Sequence, residues 1–358
     1  VAAGSAGNPF FVMELTHLLA RSGVEYTPSL TVPPNVRTVI RQRLNRLSSI
    51  CNRVLDAAAV FGREFTLPGL IRLDLSTREP VLAALDEAIN TRLIMVHPGN
   101  PGRFRFVHAL VRETLYDEMP SLERMRLHLK IGAMLEDFYS SSDDTHLDEL
   151  SYHFAQAAPL SGHEKATEYC VRAGERNMRL LAYEAACADF ERALQLLLLA
   201  EKAEPAQRCG LLLALGQAQT RSGETAKAQA TFADAAVIAR QMNRPEYLAR
   251  AALGFAGEVV TPGLANQRVM TLLTEALAVL GDSDSDLRVH LLGRLAMEYR
   301  YAPFEGLREQ LSREAVAVAR RLARHTTLVF ALNARHFAIL GPDTLEQRTA
   351  ISLELAQL

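Results

Sequence analysis

The residue types that could do chemistry are spread thinly along this chain. Ten histidines and four cysteines are scattered through 358 residues. The cysteines, Cys51, Cys170, Cys187 and Cys209, share no short spacing. They fit small core hydrophobes in a reducing compartment, not a disulfide frame or a zinc knuckle. Asp282-x-Asp284-x-Asp286 comes nearest to a calcium loop. Such a loop needs Gly at its sixth position and Glu at its twelfth, and here Leu287 and Gly293 stand there. The aspartates therefore read as a turn and a helix N-cap. His146 and His153 share one predicted helix face, but two turns of helix separate them by about 10 Å, too far for one metal. No Gly-Lys dipeptide occurs, so no phosphate-cradling G-x-x-x-x-G-K-[ST] loop can form, and G-x-G-x-x-G, H-E-x-x-H and G-x-S-x-G are absent as well. No catalytic site, metal set or cofactor is expected within this chain.

Two features remain. His108 follows a β-rich segment and opens a helix, where it reads either as a capping or core histidine or as a donor beside the N–H groups of a helix N-terminus, a place that suits an anion. Arg37, Arg41, Arg43 and Arg46 form a basic run without an acid, in which Arg37 and Arg41 share a face. That face is either simply solvated or a contact with another domain.

The elements that must position these residues are mostly helices. Asn8-Pro9 caps a helix over residues 8–21, with Phe10, Phe11, Leu15, Leu18 and Leu19 at helical spacing. A Thr/Pro-rich linker, 27–34, leads to the arginine helix, 35–47, and Ser48 caps a third helix reaching Phe61. Residues 67–73 and 79–92 read as two short helices, the second capped by Ser76. Leu93-Ile94-Met95-Val96, the turn residues Pro98 to Gly102, and Arg103-Phe104-Arg105-Phe106-Val107 then read as a hairpin. Helix, helix and a two-stranded wing make a winged-helix pattern. Its second helix carries Glu79, Asp86 and Glu87 against Arg78 and Arg92, so direct DNA binding is not expected. Two further helices, 108–118 and 121–138, precede a polar break at 140–144.

From about 147 onward only helices are expected, and they repeat. Gly174, Ala186, Phe190 and Ala193 recur 42 residues later as Gly216, Ala228, Phe232 and Ala235. This is tetratricopeptide spacing: small residues let paired helices approach, and Phe fills the gap between repeats. Gly254 and Gly293 extend the Gly series, Ala276 and Ala315 the last Ala. Asn177 and Gln219, on the first helix of each pair, are candidate groove residues. The fold class expected is mainly α: a winged-helix domain with a small β-hairpin, then a tetratricopeptide-like α-solenoid.

Gly7-Asn8-Pro9-Phe10-Phe11-Val12 before a helix, the winged-helix pattern, and Phe106-Val107-His108-Ala109-Leu110-Val111-Arg112-Glu113 after the wing carry a family resemblance. The chain resembles the signal-transduction ATPases with numerous domains (STAND), in particular the large bacterial LuxR-type and MalT-like transcriptional regulators. The same module follows the catalytic domains of some class III nucleotide cyclases. The resemblance implies three parts: 1–32, the C-terminal remnant of an NTPase lid region; 33–140, the winged helix and linking helices; 147–358, the helical repeats. It implies that Pro9 packs on an adenine ring and that His108 contacts the β-phosphate of ADP. The family's third motif position is Asp where this chain has Ala109.

The same resemblance implies that ATP or ADP with Mg is held by a nucleotide-binding core upstream of this chain, with Arg37 and Arg41 as possible contacts to it. It also implies that a protein or small effector binds the solenoid. A signal there would favour an open, ATP-bound, self-associating state. The alternatives are the regulatory region of a nucleotide cyclase, or a stand-alone interaction scaffold.

Net charge is −2, which removes the field expected of a nucleic-acid coat, although a local patch is compatible with it. No apolar run approaches the roughly 20 residues of a membrane span, and no secretory leader opens the sequence. A cytoplasmic bacterial protein is expected. The Val at position 1 and the helical pattern running to Leu358 suggest a fragment of a longer chain.

Overall fold

The structure is a computed structural model describing residues 34–73, 75–139, 144–199, 204–257, 260, 265–302 and 305–358. The helix expected over 8–21 lies outside the described residues, as does most of the polar break at 140–144. The chain forms two compact units that divide between Gly162 and His163.

The first unit opens with α1 (Pro34–Leu44) and α2 (Ser49–Phe61). Ser48 caps α2, its hydroxyl accepting from the Cys51 amide at 3.2 Å, and Gly62 stops it at a φ of 136°. α2 buries Cys51, Val54, Leu55 and Ala58 against α4 (Arg78–Asn90), which returns Val81, Ala84, Leu85 and Ala88. Glu87 on α4 accepts from both the backbone N–H and the hydroxyl of Ser48, at 2.9 and 2.6 Å. One of the acids that argued against a DNA-reading helix thus serves the packing of α4 on α2. The cap of α4 is Thr77, one residue later than the Ser76 expected.

The strands form a three-stranded antiparallel sheet in the order β1-β3-β2: β1 (Glu64–Thr66), β2 (Ile94–His97) and β3 (Asn100–Phe106). The sequence pattern shows the β2–β3 hairpin alone, because three residues are too few to display a period of two. β1 is held by Phe65, paired with Phe104 and in ring contact with Phe104 and Phe106 at 5.8 and 5.7 Å. The short α3 (Leu67–Arg72) follows β1 directly, capped by the Thr66 hydroxyl. After β3 come α5 (Ala109–Glu118), α6 (Ser121–Phe138) and α7 (Leu147–Ser161), with α6 and α7 packed together. Thus α7, expected at the start of the repeats, falls within the first compact unit.

The second unit is a row of helical hairpins: α8 (Glu164–Arg179) with α9 (Tyr183–Leu198), α10 (Pro205–Arg221) with α11 (Thr225–Gln241), α12 (Pro245–Ala256) with α13 (Gln267–Leu280), α14 (Asp286–Glu298) with α15 (Glu305–Leu322), and α16 (His325–Ala338) with α17 (Leu345–Gln357). Each helix packs on the next, and α10, α12, α14 and α16 also touch one another in order, as in an α-solenoid. The Gly–Phe spacing has the expected use. A Cβ on Gly174 would lie 2.7 Å from the Phe190 ring, and one on Gly216 would lie 2.7 Å from the Phe232 ring. Phe232 also lies against Gly254 of the following hairpin, where a Cβ would overlap the ring, so this ring does fill the gap between repeats. Further along the register changes: Gly293 meets Phe330 of α16 rather than an aromatic of α15.

Candidate functional site

Within the second unit the residues expected to line a groove turn inward. Asn177 is 5% and Gln219 3% exposed. Asn177 donates to the Asp189 carboxylate at 2.8 Å, and the Thr231 hydroxyl donates to Gln219 at 2.7 Å. Asp189 and Thr231 are themselves 42 residues apart, so the repeat carries a polar bond between its two helices, in register with the Gly–Phe contact. The turn between the helices repeats as well. The Ala182 amide donates to Asn177 O and the Glu224 amide to Gln219 O, at 2.9 and 2.8 Å. Leu181 and Gly223 take the same left-handed position, with φ of 60° and 85°. Asn177 and Gln219 are therefore hairpin clamps. Burial of a polar side chain is tolerated when a partner satisfies it, and sequence alone does not reveal that the partner lies 12 residues on.

The calcium-like aspartates are spent on arginines. Asp282 pairs with Arg288 at 3.1 Å and Asp284 with Arg321 at 2.6 Å, while Asp286 pairs with Arg324. The cap of α14 is Ser285, whose hydroxyl accepts from the Arg288 amide at 3.2 Å. Among the described residues no group of three or more His, Cys, Asp or Glu side chains could hold a metal ion. All four cysteines are free and buried. Burial, aided by the Glu87 charge, pushes Cys51 up to about 12, and burial pushes Cys170 up to about 11, so both stay protonated.

In the first unit, Arg37 reaches Asp117 at 3.1 Å and Arg41 reaches Glu118 at 2.6 Å, both acids at the end of α5. The face these arginines share is thus turned to α5. His108 is the N-cap residue of α5, with extended backbone (φ −133°, ψ 136°), and its side chain does not cap the helix. It stands two residues after the end of β3, at the turn from sheet to helix. Pro9 lies outside the described residues.

A different constellation emerges on α6 and α7. His128, fully buried, and His153, 3% exposed, face each other with their Nδ1 atoms 2.9 Å apart. The Tyr116 hydroxyl of α5 lies 3.0 Å from His128 Nε2, and Tyr152 stands edge-on to both imidazoles at 5.4 Å. The Nδ1–Nδ1 contact requires one ring to donate and the other to accept, so the accepting ring is neutral, and burial favours the neutral form of both. Burial pushes His128 down to about 3, reinforced by His153 and Arg124, and burial pushes His153 down to about 4. Each histidine sits within an apolar helical stripe, Leu127-x-x-x-Ile131 and Leu150-x-x-x-Phe154. That position is a signal of burial, but nothing in the sequence pairs the two.

His153 and Tyr152 also form one wall of a cavity of about 780 Å³. The opposite walls come from Phe61 at the end of α2, Phe65 of β1 and the α3 helix, and the end of α6 supplies Phe138 and Tyr139. Arg103 pairs with Glu64 at 3.0 Å beside it, and the Arg72 guanidinium lies 4.9 Å over the Phe138 ring. Tyr139 stacks on His146 at 3.5 Å, and His146 Nδ1 is 3.7 Å from Glu149. The volume falls in the range of small-molecule pockets, and the walls are aromatic with a few charges at defined places.

The fold and these sites define a helical-repeat protein joined to a small three-stranded sheet, in which no described helix is long and apolar enough to cross a membrane. No family model and no curated protein matches the sequence. Among solved structures the chain is similar to the Signal Transduction ATPase with Numerous Domains (STAND) protein with a tetratricopeptide repeat sensor from Pyrococcus horikoshii, at 13% identity and a TM-score of 0.36. The match covers 99% of this chain and 58% of that one, so the chain spans little more than half that protein's length.

Proposed function

We propose that this chain is the regulatory and signal-sensing part of a bacterial STAND-type ATPase controlling transcription, of the LuxR-type, MalT-like kind. Residues 49–106 follow the order helix, strand, helix, helix, strand, strand, which is that of a winged helix. In this reading the winged element closes on ATP or ADP with Mg held by an upstream core, His108 approaches the β-phosphate, Pro9 packs on the base, and the repeats receive a protein or small effector. Arg37 and Arg41, the candidate contacts to that core, pair with Asp117 and Glu118 at the end of α5.

The observation that carries the reading is the combination, in one chain, of His108 at a helix N-terminus directly behind the sheet with a row of Gly–Phe hairpins. The first sets a histidine at the positive end of a helix dipole, which favours an anion. The second builds the extended surface on which such repeats bind their ligands. Calorimetric titration of this chain with Mg-ADP and Mg-ATP should give no saturable binding, because the chain owns the lid and lacks a phosphate loop. Micromolar binding would overturn the reading. In a protein extended upstream through the nucleotide-binding core, His108→Ala should weaken ADP retention at least tenfold, the loss expected for one hydrogen bond to a charged group. An unchanged affinity would instead favour a scaffold.

A further inference from the structure

Two clefts stand out among the described residues. In the cleft between α11, α12 and α13, of about 370 Å³, the charges answer one another: Arg240 makes two bonds to Glu275, at 2.6 and 2.8 Å, and Arg268 covers Phe255. The cavity of the first unit differs, because the edge of the sheet opens into it. We propose that it takes an extended, largely apolar peptide segment of a partner protein, added as a fourth strand along β1, with one carboxylate side chain on Arg72. This site is independent of the nucleotide reading and of the effector surface of the repeats.

The strand follows from the register of the sheet. The Phe106 amide donates to Arg63 O at 3.1 Å, while Glu64 stands opposite Arg105 and Phe65 opposite Phe104. Bonded and non-bonded pairs alternate in an antiparallel ladder, so Phe65 turns its N–H and C=O toward β3. Glu64 turns its N–H and C=O to the open side, and the Thr66 N–H points the same way. β1 is the edge of the sheet, and among the described residues nothing bonds these three groups. Glu64, Phe65 and Thr66 all line the cavity. Successive side chains of a strand point to opposite faces, so three residues in a row meet one cavity along the strand's edge. An open edge of this kind is a template for another chain, whose main-chain groups supply the affinity.

The rest of the lining sets the side chains of that segment. Phe138 is 57% and Tyr152 37% exposed, and apolar side chains seated against them would remove this surface from water. Most charges of the lining are answered within the chain. Arg103 pairs with Glu64 at 3.0 Å, Glu149 lies 3.7 Å from His146 Nδ1, and Asp148 is also engaged. Arg72 is the exception: among the described residues no carboxylate meets it, and its guanidinium lies 4.9 Å over the Phe138 ring. A guanidinium held over an aromatic ring keeps its N–H fork for a carboxylate. Arg72 ends α3, a six-residue helix that follows β1 directly, so it stands about 9 Å along the helix from the strand's end. One carboxylate therefore completes the site, and a run of acids is not called for.

The probe is an acetylated hexapeptide amide, Thr-Val-Thr-Val-Glu-Val, titrated into this chain by calorimetry, and saturable one-to-one binding is expected. N-methylation of one alternate set of peptide nitrogens should weaken it at least tenfold, and methylation of the other set should be tolerated, because only one edge of the added strand faces β1. Replacing the peptide's Glu by Gln should also cost at least tenfold, and in Arg72→Gln the two peptides should bind equally. Glu64→Pro removes an outward N–H and leaves the bonds to β3, so it should weaken the peptide, whereas Glu64→Gln should not. Hydrogen exchange reads the same contact without a variant, which keeps the test decisive if Glu64→Pro does not fold. The Glu64 and Thr66 amides should exchange fast in the free chain and slowly in the complex, and the Phe65 amide slowly in both. Absence of saturable binding, equal losses from the two methylation sets, an unprotected Glu64 amide in the complex, or a preference for Glu that survives Arg72→Gln would each overturn the assignment. None of these results bears on the ADP titration.

Discussion

Replacing the buried pair as a unit, His128→Leu with His153→Leu, should remove most of this protein's acid sensitivity in its first unit. An unfolded imidazole titrates near pH 6.5, whereas the folded values are about 3 and about 4. With the folded values depressed, the unfolded state binds more protons, and the stability present above pH 6.5 is lost as pH falls toward 4. From pH 8 to pH 5 the loss is RT ln(1 + 10^1.5), about 2 kcal/mol for each histidine and about 4 kcal/mol for the pair. This figure holds for folded values of about 4 or below. One group opposes it. Burial, with the Glu123 charge, pushes Asp56 up from 3.8 to about 6, so its contribution is present below 3.8 and is lost as pH rises through 6. At pH 5 Asp56 returns about 1 kcal/mol. The wild type should therefore lose about 3 kcal/mol and the double variant gain about 1, a difference of about 4 kcal/mol. Urea unfolding followed by amide signals of α6 and α7 at pH 8 and pH 5 measures this difference. Imidazole chemical shifts of the wild type give an independent reading. Titration of either histidine near pH 6.5 in the folded protein, or equal acid losses in the two proteins, would refute the reasoning.

The remaining expectations concern the repeats. Gly216→Ala should destabilise the second unit by about 1–3 kcal/mol, because its Cβ would press the Phe232 ring. Gly210→Ala on the same helix meets open space and should stabilise it by about 0.5–1 kcal/mol through helix propensity, so thermal unfolding of the two variants should shift in opposite directions. Leu181→Gly should stabilise by about 1 kcal/mol, since Leu181 holds a φ of 60° that Gly223 holds without penalty one repeat later. Gln219→Leu should cost about 1–3 kcal/mol by orphaning the buried Thr231 hydroxyl, and the double variant with Thr231→Val should recover most of that loss in denaturant melts.

Local periodicity and composition alone determined much of this protein. The helices of 34–138 are legible within a few residues, because caps such as Ser48 and apolar stripes act over one or two turns. The 42-residue repeat is legible because the close approach of two helices demands Gly opposite Phe each time it recurs. The lack of a phosphate loop is likewise a fact of sequence. Tertiary structure decided the rest. It turned Asn177 and Gln219 inward, spent Asp282, Asp284 and Asp286 on arginines, and paired Arg37 and Arg41 with the end of α5. It also added β1 to the sheet and joined His128 to His153 across 25 residues, beside a cavity gathered from six elements and their flanks. Apart from Asp282 and Arg288, these partners lie 12 to 80 residues apart. A side chain's chemistry depends on what faces it and on how dry the contact is, and no periodicity along one element records either.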